Sequence, residues 1–282
     1  MKMISWNIQR GRGLHGTCSI EHAVADLRRV ADFDVLCLQE VSAGYTDLPG
    51  SDGANQFIGL SRLLPGYTPV AGVCTDALGE GGARLLFGNM IFSRFPVLQV
   101  LRHSLPWPPD PQVMSMARGA LEVTLDTPLG LVRVSTAHLE YFSPLQRAAQ
   151  IDRLRELHRD ACLHAQAARP GAPEHGPFCA IPRASLALLA GDFNFLPDSS
   201  DYERLTAPFE GEEGIAPLRD AWTVTHPFQP HEPTVCLRAD DTRPFTFDYV
   251  FASADLAPRL RGMRVASEIA GPDHQPVLVK LG

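Results

Sequence analysis

The chain has no uninterrupted apolar run near the roughly 18 residues that a bilayer crossing needs, and Met1 leads straight into a strand-like segment without a basic, then apolar, leader. These absences predict a protein with neither membrane anchor nor export signal. Positive charge is also in short supply: 25 Lys and Arg against 32 Asp and Glu give a net charge of -7 in 282 residues. With pI near 5.8, a broad cationic surface is excluded and tight non-specific hold on a nucleic-acid backbone is not favoured, although a local basic rim remains compatible. Cysteine is sparse. Cys18, Cys37, Cys74, Cys162, Cys179 and Cys236 show no paired metal-site spacing, and several sit in apolar runs typical of reduced thiols, which predicts a cytoplasmic setting. Gly79-Glu80-Gly81-Gly82 lacks the Lys-Ser/Thr of a nucleotide-binding loop and predicts a flexible hairpin. His226 and His231 have no cysteine near them, so solvent-facing histidines are expected rather than a zinc site. No internal repeat or low-complexity tract is present.

What is present is ample apolar material. At 45% hydrophobic residues, the 282 positions are enough for one sizeable core, and a single domain over 1–282 is expected. Strands are predicted at Met3 to Ile8, Asp34 to Leu38, Thr68 to Cys74, Arg84 to Ser93, Ala117 to Leu125, Leu131 to Ala137, Ser185 to Ala190, Phe245 to Phe251 and Pro276 to Leu281. Gly11, Gly13 and Gly16 predict a mobile turn after the first strand. Ser19 is a candidate cap for a helix through Ile20, Val24, Leu27 and Ala31, and a second helix is predicted over Gln56 to Leu64. Ser143 followed by Pro144 opens a longer helix fraying near Ala168. Residues 169–183, with four prolines and two glycines, predict a surface insertion. Helices flanking two groups of strands imply an α/β fold of stacked sheets.

Several of these strands end in side chains suited to phosphate chemistry. Glu40 follows Val35-Leu36-Cys37-Leu38, which places a hard oxygen donor at a strand edge where Mg²⁺ or Mn²⁺ could be held; Asn7 and Asp273 offer further oxygens. In Gly191-Asp192-Phe193-Asn194, an extended chain would turn Asp192 and Asn194 to one side, while an Asx turn would serve the same residues differently. Asp273-His274, between Gly271-Pro272 and Gln275-Pro276, presents an imidazole on a sharp turn, the leading general-base candidate. Asp248 lies inside an apolar run and needs a partner, which His274 would be. His138 ends another strand and could donate to a phosphoryl oxygen. Arg147 and Gln150, spaced i, i+3 on the following helix, could hold His138 or its loop. Trp107, in the stiff loop Leu105 to Pro111, is read as a core plug by default or, alternatively, as lining the substrate entrance.

In this order the segments resemble the endonuclease/exonuclease/phosphatase superfamily. They are Ser5-Trp6-Asn7, Leu38-Gln39-Glu40, Gly88 to Pro96, Arg118-Gly119-Ala120, Ala137-His138-Leu139, Arg147 to Gln150, Gly191 to Asn194, Phe247-Asp248-Tyr249 and Asp273-His274. The resemblance implies an α-β-β-α four-layer sandwich of two mixed sheets flanked by helices, with the site at one end. It implies that Glu40 binds Mg²⁺ or Mn²⁺ with Asn7 and Asp273. It further implies that Asp248 orients His274 and that Asp192, Asn194 and His138 position the phosphoryl group, with Asp192 or His274 taking a proton from water. Gln39, Arg118, Arg147 and Gln150 are then supports behind the site. Ala137 stands where the family often has Thr, a change expected to point away from the site. Without a basic segment like the duplex-gripping insertions of DNA-repair members, a small-molecule or lipid-linked phosphoester is the favoured substrate, DNA or RNA the alternative, and a non-catalytic binding module a third. Oligomeric state is left open. Convergence of Glu40, Asp192 and His274 within about 12 Å, the span of direct or one-water contacts, is the central expectation.

Overall fold

Alternation along the first strand decides which layer each residue joins. In a computed structural model describing residues 1–282 apart from Leu14, 168–174, 239–241 and Ala270, β1 (Lys2–Asn7) turns Ile4 and Trp6 to an outer layer and Met3 to an inner one. β2 (Val35–Ala43) does likewise, with Val35 and Cys37 inward and Leu36 and Leu38 outward. The outer layer is closed by α1 (Ile20–Val30), whose Ala23, Val24, Leu27 and Val30 are buried, and by α2 (Gln56–Leu63). Ser19 caps α1 by accepting from the His22 amide, and Asn55 caps α2.

β3 (Thr68–Leu78) and β4 (Arg84–Ser93) form a hairpin, followed by β5 (Val97–Ser104), β6 (Gly119–Thr127) and β7 (Gly130–His138). α3 (Pro144–Gln166), capped by Ser143, leads to β8 (Ala187–Asp192), α4 (Ser200–Thr206), β9 (Leu218–Asp220), α5 (Ala221–Thr225), β10 (Asp248–Ser253), β11 (Leu260–Val265) and β12 (Val277–Leu281). The first sheet has the order β11-β12-β1-β2-β4-β3 and the second β5-β6-β7-β8-β10-β9. Each is mixed: β1 runs parallel to β2 and β7 to β8, while the other pairs are antiparallel. Met3, Val35, Val123, Val134, Leu188 and Val250 pack between the sheets, and Ile151, Leu154, Phe193 and Tyr249 fill the space under α3 and α4. This is the four-layer α-β-β-α sandwich. Among the described residues no helix is long and apolar enough to cross a membrane.

Several expectations are corrected. β3 runs on to Leu78, and the strand expected from Phe245 starts at Asp248, Phe245 making only an isolated bridge to Val235. β5, β9, β11, α4 and α5 were not expected: β5 is a partly exposed edge strand, and β9 and α5 span three and five residues. Gly11 is buried in a tight turn rather than on a mobile one, with its amide bonded to Ile8 O at 2.6 Å. His231 is not solvent-facing: its Nε2 lies 2.6 Å from Asp220 Oδ2, because a buried carboxylate requires a partner, and His226 stacks on Trp222. Trp107 is no core plug. It is 54% exposed and donates to Ser115 Oγ. Ala168 and the start of the proline-bearing insertion lie outside the described residues.

Candidate active site

Between the sheets the apolar layer gives way to polar groups at one end. Ser5 and Asn7 continue the inward face of β1, and Gln39 that of β2. Gln39 is fully buried and donates to Thr136 Oγ1 of the second sheet at 2.8 Å, so it ties the two sheets together. One residue later the register of β2 against β4 shifts between Leu38 and Val41, and Glu40 adopts a left-handed φ of 58°. A bulge with a strained residue re-aims a side chain; here it delivers the Glu40 carboxylate to the sheet end.

The second sheet supplies a straight rung. His138 pairs with Asp192 across parallel β7 and β8, and Asp192 pairs with Asp248 across antiparallel β8 and β10. Gly191 permits this. Its φ is 145°, and a Cβ there would come within 1.9 Å of Ala137 O, forcing β7 and β8 apart. Ala137 itself packs into the outer layer, away from the site.

His274 is brought in from the first sheet's side by three anchors: Gln275 N donates to Thr234 O at 2.7 Å, Cys236 N to Asp273 O at 2.9 Å, and the Trp6 indole to His274 O at 3.0 Å. Its Nδ1 lies 2.9 Å from Asp248 Oδ2, which also accepts from Thr234 Oγ1 at 2.7 Å. Asp192 Oδ2 is the hub. Asn7 Nδ2 donates to it at 3.0 Å, with His138 Nε2 at 3.4 Å and His274 Nε2 at 3.6 Å. The same Asn7 nitrogen donates to Glu40 Oε1 at 2.9 Å. Glu40, Asp192 and His274 are thus linked through single side chains, well inside the span set for them.

Two placements differ from expectation. Asn7 Oδ1 accepts from the Gln9 amide at 3.0 Å, so its nitrogen, not its oxygen, faces the carboxylates, and Asn7 braces them. The chain leaves β8 after Asp192, and Asn194, at φ 53°, closes an Asx turn: its amide donates to Asp192 Oδ1 at 3.1 Å and its side chain to Leu139 O at 2.9 Å.

Arg147 and Gln150 hold the loop after His138. Gln150 Oε1 accepts from Glu140 N at 2.9 Å, and Arg147 donates to the Glu140 and Tyr141 carbonyls, both at 3.1 Å. Arg118 pairs with the fully buried Glu140 at 3.3 Å. Glu140, Thr234 and Arg10, whose guanidinium lies 3.2 Å from Glu40 Oε2, were not singled out in the sequence. An acid in the short stretch Leu139 to Phe142 after a strand, a threonine beside proline and an arginine in a glycine turn carry no local signal of such roles.

Charge in the cluster is shaped by burial. Desolvation pushes the Asp192 carboxyl up to about 7; Asp248 and Glu40 add to this, while His274 and Asn7 oppose it. Burial alone would lower His274, but Asp248, Asp192 and Asp273 outweigh it and raise the imidazole well above its ordinary value. Burial, with Arg118 and His274 nearby, holds His138 far below it. The site opens into a cavity of about 490 Å³. Glu40, Arg118, Asp273 and His274 contribute its polar wall, and Tyr141, Phe142, Phe245 and Phe247 an aromatic one.

The donor set suits a hard cation. Ligand atoms of Asp192, Asp248 and His274 lie within 4.8 Å of one another. Asp248 Oδ2 is committed to two hydrogen bonds and its Oδ1 is buried without a partner among the described residues. Glu40, Asp192 and Asp273 are the carboxylates that line the cavity. Oxygen and imidazole donors match Mg²⁺ or Mn²⁺ chemistry.

The model of the Endonuclease/Exonuclease/phosphatase family matches residues 4–269. The chain belongs to that family. Its members are hydrolases acting on phosphoesters. No curated protein sequence matches the chain closely. Among solved structures, an endonuclease/exonuclease/phosphatase from Beutenbergia cavernae is 24% identical with a TM-score of 0.68, covering 100% of this chain and 72% of that one. The mannosyl-6-phosphatase of Bacteroides thetaiotaomicron is 16% identical at TM-score 0.66, with 100% and 99% covered. The 3' phosphatase NExo from Neisseria, bound to product DNA hairpin, is 19% identical at TM-score 0.62, with 100% and 99% covered. These likenesses concern the fold.

Proposed function

We propose that the protein is a Mg²⁺- or Mn²⁺-dependent phosphoester hydrolase, acting by in-line attack of water on the phosphorus of a small-molecule or lipid-linked phosphoester. The observation that carries this is the Asn7 amide bridging Glu40 and Asp192 at a cavity mouth, with His274 beside Asp192. Glu40 would hold the ion with Asp273, and Asn7 would keep Glu40 and Asp192 apart at a fixed spacing. When bound, the ion supplies charge neutralisation at the phosphoryl oxygens.

The chain's own groups do the rest. Asp248 and Thr234 fix the His274 ring so that Nε2 faces Asp192, and the Asp192–His274 pair takes the proton of the attacking water. His138, neutral by burial, donates to a phosphoryl oxygen, and Asn194 keeps Asp192 turned inward. The aromatic wall supports an ester carrying an apolar or ring-shaped group. Residues drawn from both sheets support treating 1–282 as one catalytic unit, and the six cysteines, none of them in a disulfide among the described residues, suit a reducing compartment such as the cytoplasm.

A second reading keeps the chemistry and makes DNA or RNA the substrate. A neighbouring cavity of about 230 Å³, meeting the first at Asp273 and Cys236, carries Arg12 and Arg238, which suit a further phosphate. Plasmid and oligonucleotides assayed against bis-p-nitrophenyl phosphate, sphingomyelin and inositol phosphates, each with Mg²⁺, Mn²⁺ and a chelator, separate the two. We expect metal-dependent cleavage of the small or lipid esters; cleavage of DNA alone reverses the ranking. No turnover together with no metal binding in calorimetry leaves a binding module.

A further inference from the structure

Immediately after β1 the chain turns through Gln9 and Arg10, both left-handed at φ 43° and 63°, opposite the left-handed Glu40 at 58°. Non-glycine residues rarely adopt this region, and such strain persists where surrounding contacts enforce it. Here they do. Asn7 Oδ1 accepts from Gln9 N, Gln56 Nε2 donates to Arg10 O at 2.7 Å, and Gln56 is itself fixed by accepting from the Ser42 amide of β2. Gly11, at φ 75°, packs so tightly that an added Cβ would lie 2.7 Å from Ser19 O. The turn is built to deliver one side chain.

That side chain is poorly satisfied where it rests. The Arg10 and Glu40 side chains are 12% and 16% exposed, and they touch through Nη1 and Oε2 alone, at 3.2 Å. Arg10 Nε is buried with no partner among the described residues. A guanidinium can fork onto a carboxylate or phosphate through two parallel bonds, and this one makes a single long contact on a group placed to hold a cation.

We propose that Arg10 is a displaceable counter-ion: it neutralises Glu40 while no cation is bound, and a cation at Glu40 releases it to grip the phosphoryl oxygens of the substrate. This rests on the hydrolase reading in taking Glu40 as the cation's ligand. It adds a residue whose position couples metal and phosphate binding.

The test is calorimetric and needs no turnover. Mn²⁺ is titrated into wild type, Arg10→Gln, Arg10→Ala and Arg10→Lys, and inorganic phosphate is titrated into each with and without Mn²⁺. Removing a competing cation should tighten Mn²⁺ binding about fivefold in Arg10→Gln and Arg10→Ala. Phosphate binding in the presence of Mn²⁺ should weaken about tenfold or more, with part of it restored in Arg10→Lys. In wild type Mn²⁺ should strengthen phosphate binding, and that coupling should vanish in Arg10→Gln. Unchanged or weaker Mn²⁺ binding in both neutral variants, with melting temperatures near wild type, overturns the proposal while leaving the hydrolase reading intact. So does unaltered phosphate binding. Failure of wild type to bind Mn²⁺ at all overturns both.

Discussion

Two charged clusters, one buried and one partly open at a cavity mouth, lie on opposite faces of the second sheet, and they are balanced differently. Under α3, Glu122 accepts from Arg133 at 3.1 Å and from Arg183 at 3.1 Å, and Arg133 donates to His158 Nδ1 at 2.8 Å. Between the sheets, Glu40, Asp192, Asp248 and Asp273 face only Arg10 and His274 as cationic partners among the contacts described. One cluster has its acid fully matched by guanidinium. The other is left rich in acid at a cavity mouth, the balance expected of the cation site proposed above rather than of a pairing that only holds the fold together.

If that contrast is right, breaking the matched cluster damages stability and breaking the acidic one damages rate. Glu122→Ala leaves two buried guanidiniums without their carboxylate, and we expect a loss of about 3–5 kcal/mol in urea unfolding. The protein that remains folded should keep near-normal kcat. A loss under about 1 kcal/mol would make the outer cluster no more than a solvated pairing.

At the acidic end the signs reverse. Asp192→Ala or His274→Ala should lower kcat by on the order of 10² to 10³, each having removed a group proposed above to handle the water's proton or the developing charge. Asp192→Ala should cost little stability, since it relieves burial of a carboxylate, whereas His274→Ala leaves the buried Asp248 without its cationic partner and should also cost about 3–5 kcal/mol. Wild-type turnover in either purified variant would overturn these roles.

The outer cluster also predicts a pH dependence. Arg133 can only donate, so His158 Nδ1 accepts, and Nε2 carries the proton that bonds Ala216 O at 2.8 Å. Burial, reinforced by Arg133, pushes the folded imidazole down to about 4. The unfolded chain therefore binds the proton first as pH falls. Stability is fully present above the unfolded value near 6.5 and drops between there and about 4, by up to about 1.4 kcal/mol per pH unit. Urea midpoints from pH 7 to 5 should fall more steeply in wild type than in His158→Gln; parallel slopes would exclude a neutral buried His158.

What could be read in advance follows the same division between local and distant causes. Asn7 and Asp192 were legible because each ends an apolar strand whose alternation fixes its face, whereas alternation would turn Glu40 away from Gln39's inward face and only the bulge in β2, which runs on to Ala43, re-aims it. Asp248 was legible because an acid inside an apolar strand requires a partner. Thr234 was not: its hydroxyl reaches Asp248 only because Val235 bridges Phe245 and His274, a pairing no local pattern announces. Nor was Arg10, whose aim is set by Gln56 and Asn7 from other elements. The longer helices α1, α2 and α3 were found, while α4 and α5, capped by Ser199 and Asp220 but only seven and five residues long, and β5, β9 and β11, at edges or only a few residues long, lacked the periodicity that marks an element.

The smallest effect concerns the walls of the cavity. Phe247 stands in the aromatic wall, its ring 4.6 Å from that of Phe245 and 6.2 Å from that of Tyr141. Trp107 lines a separate space with Cys74 and His103, which meets the first only at Arg118. An aromatic contact contributes about 1 kcal/mol, so Phe247→Ala should raise KM roughly fivefold for an ester with a ring or acyl group. Trp107→Ala should change it less than about twofold. The reverse order would mean that substrate enters across Arg118 from the Trp107 side, and that the entrance lies over the loop from Leu105 to Pro111 after all.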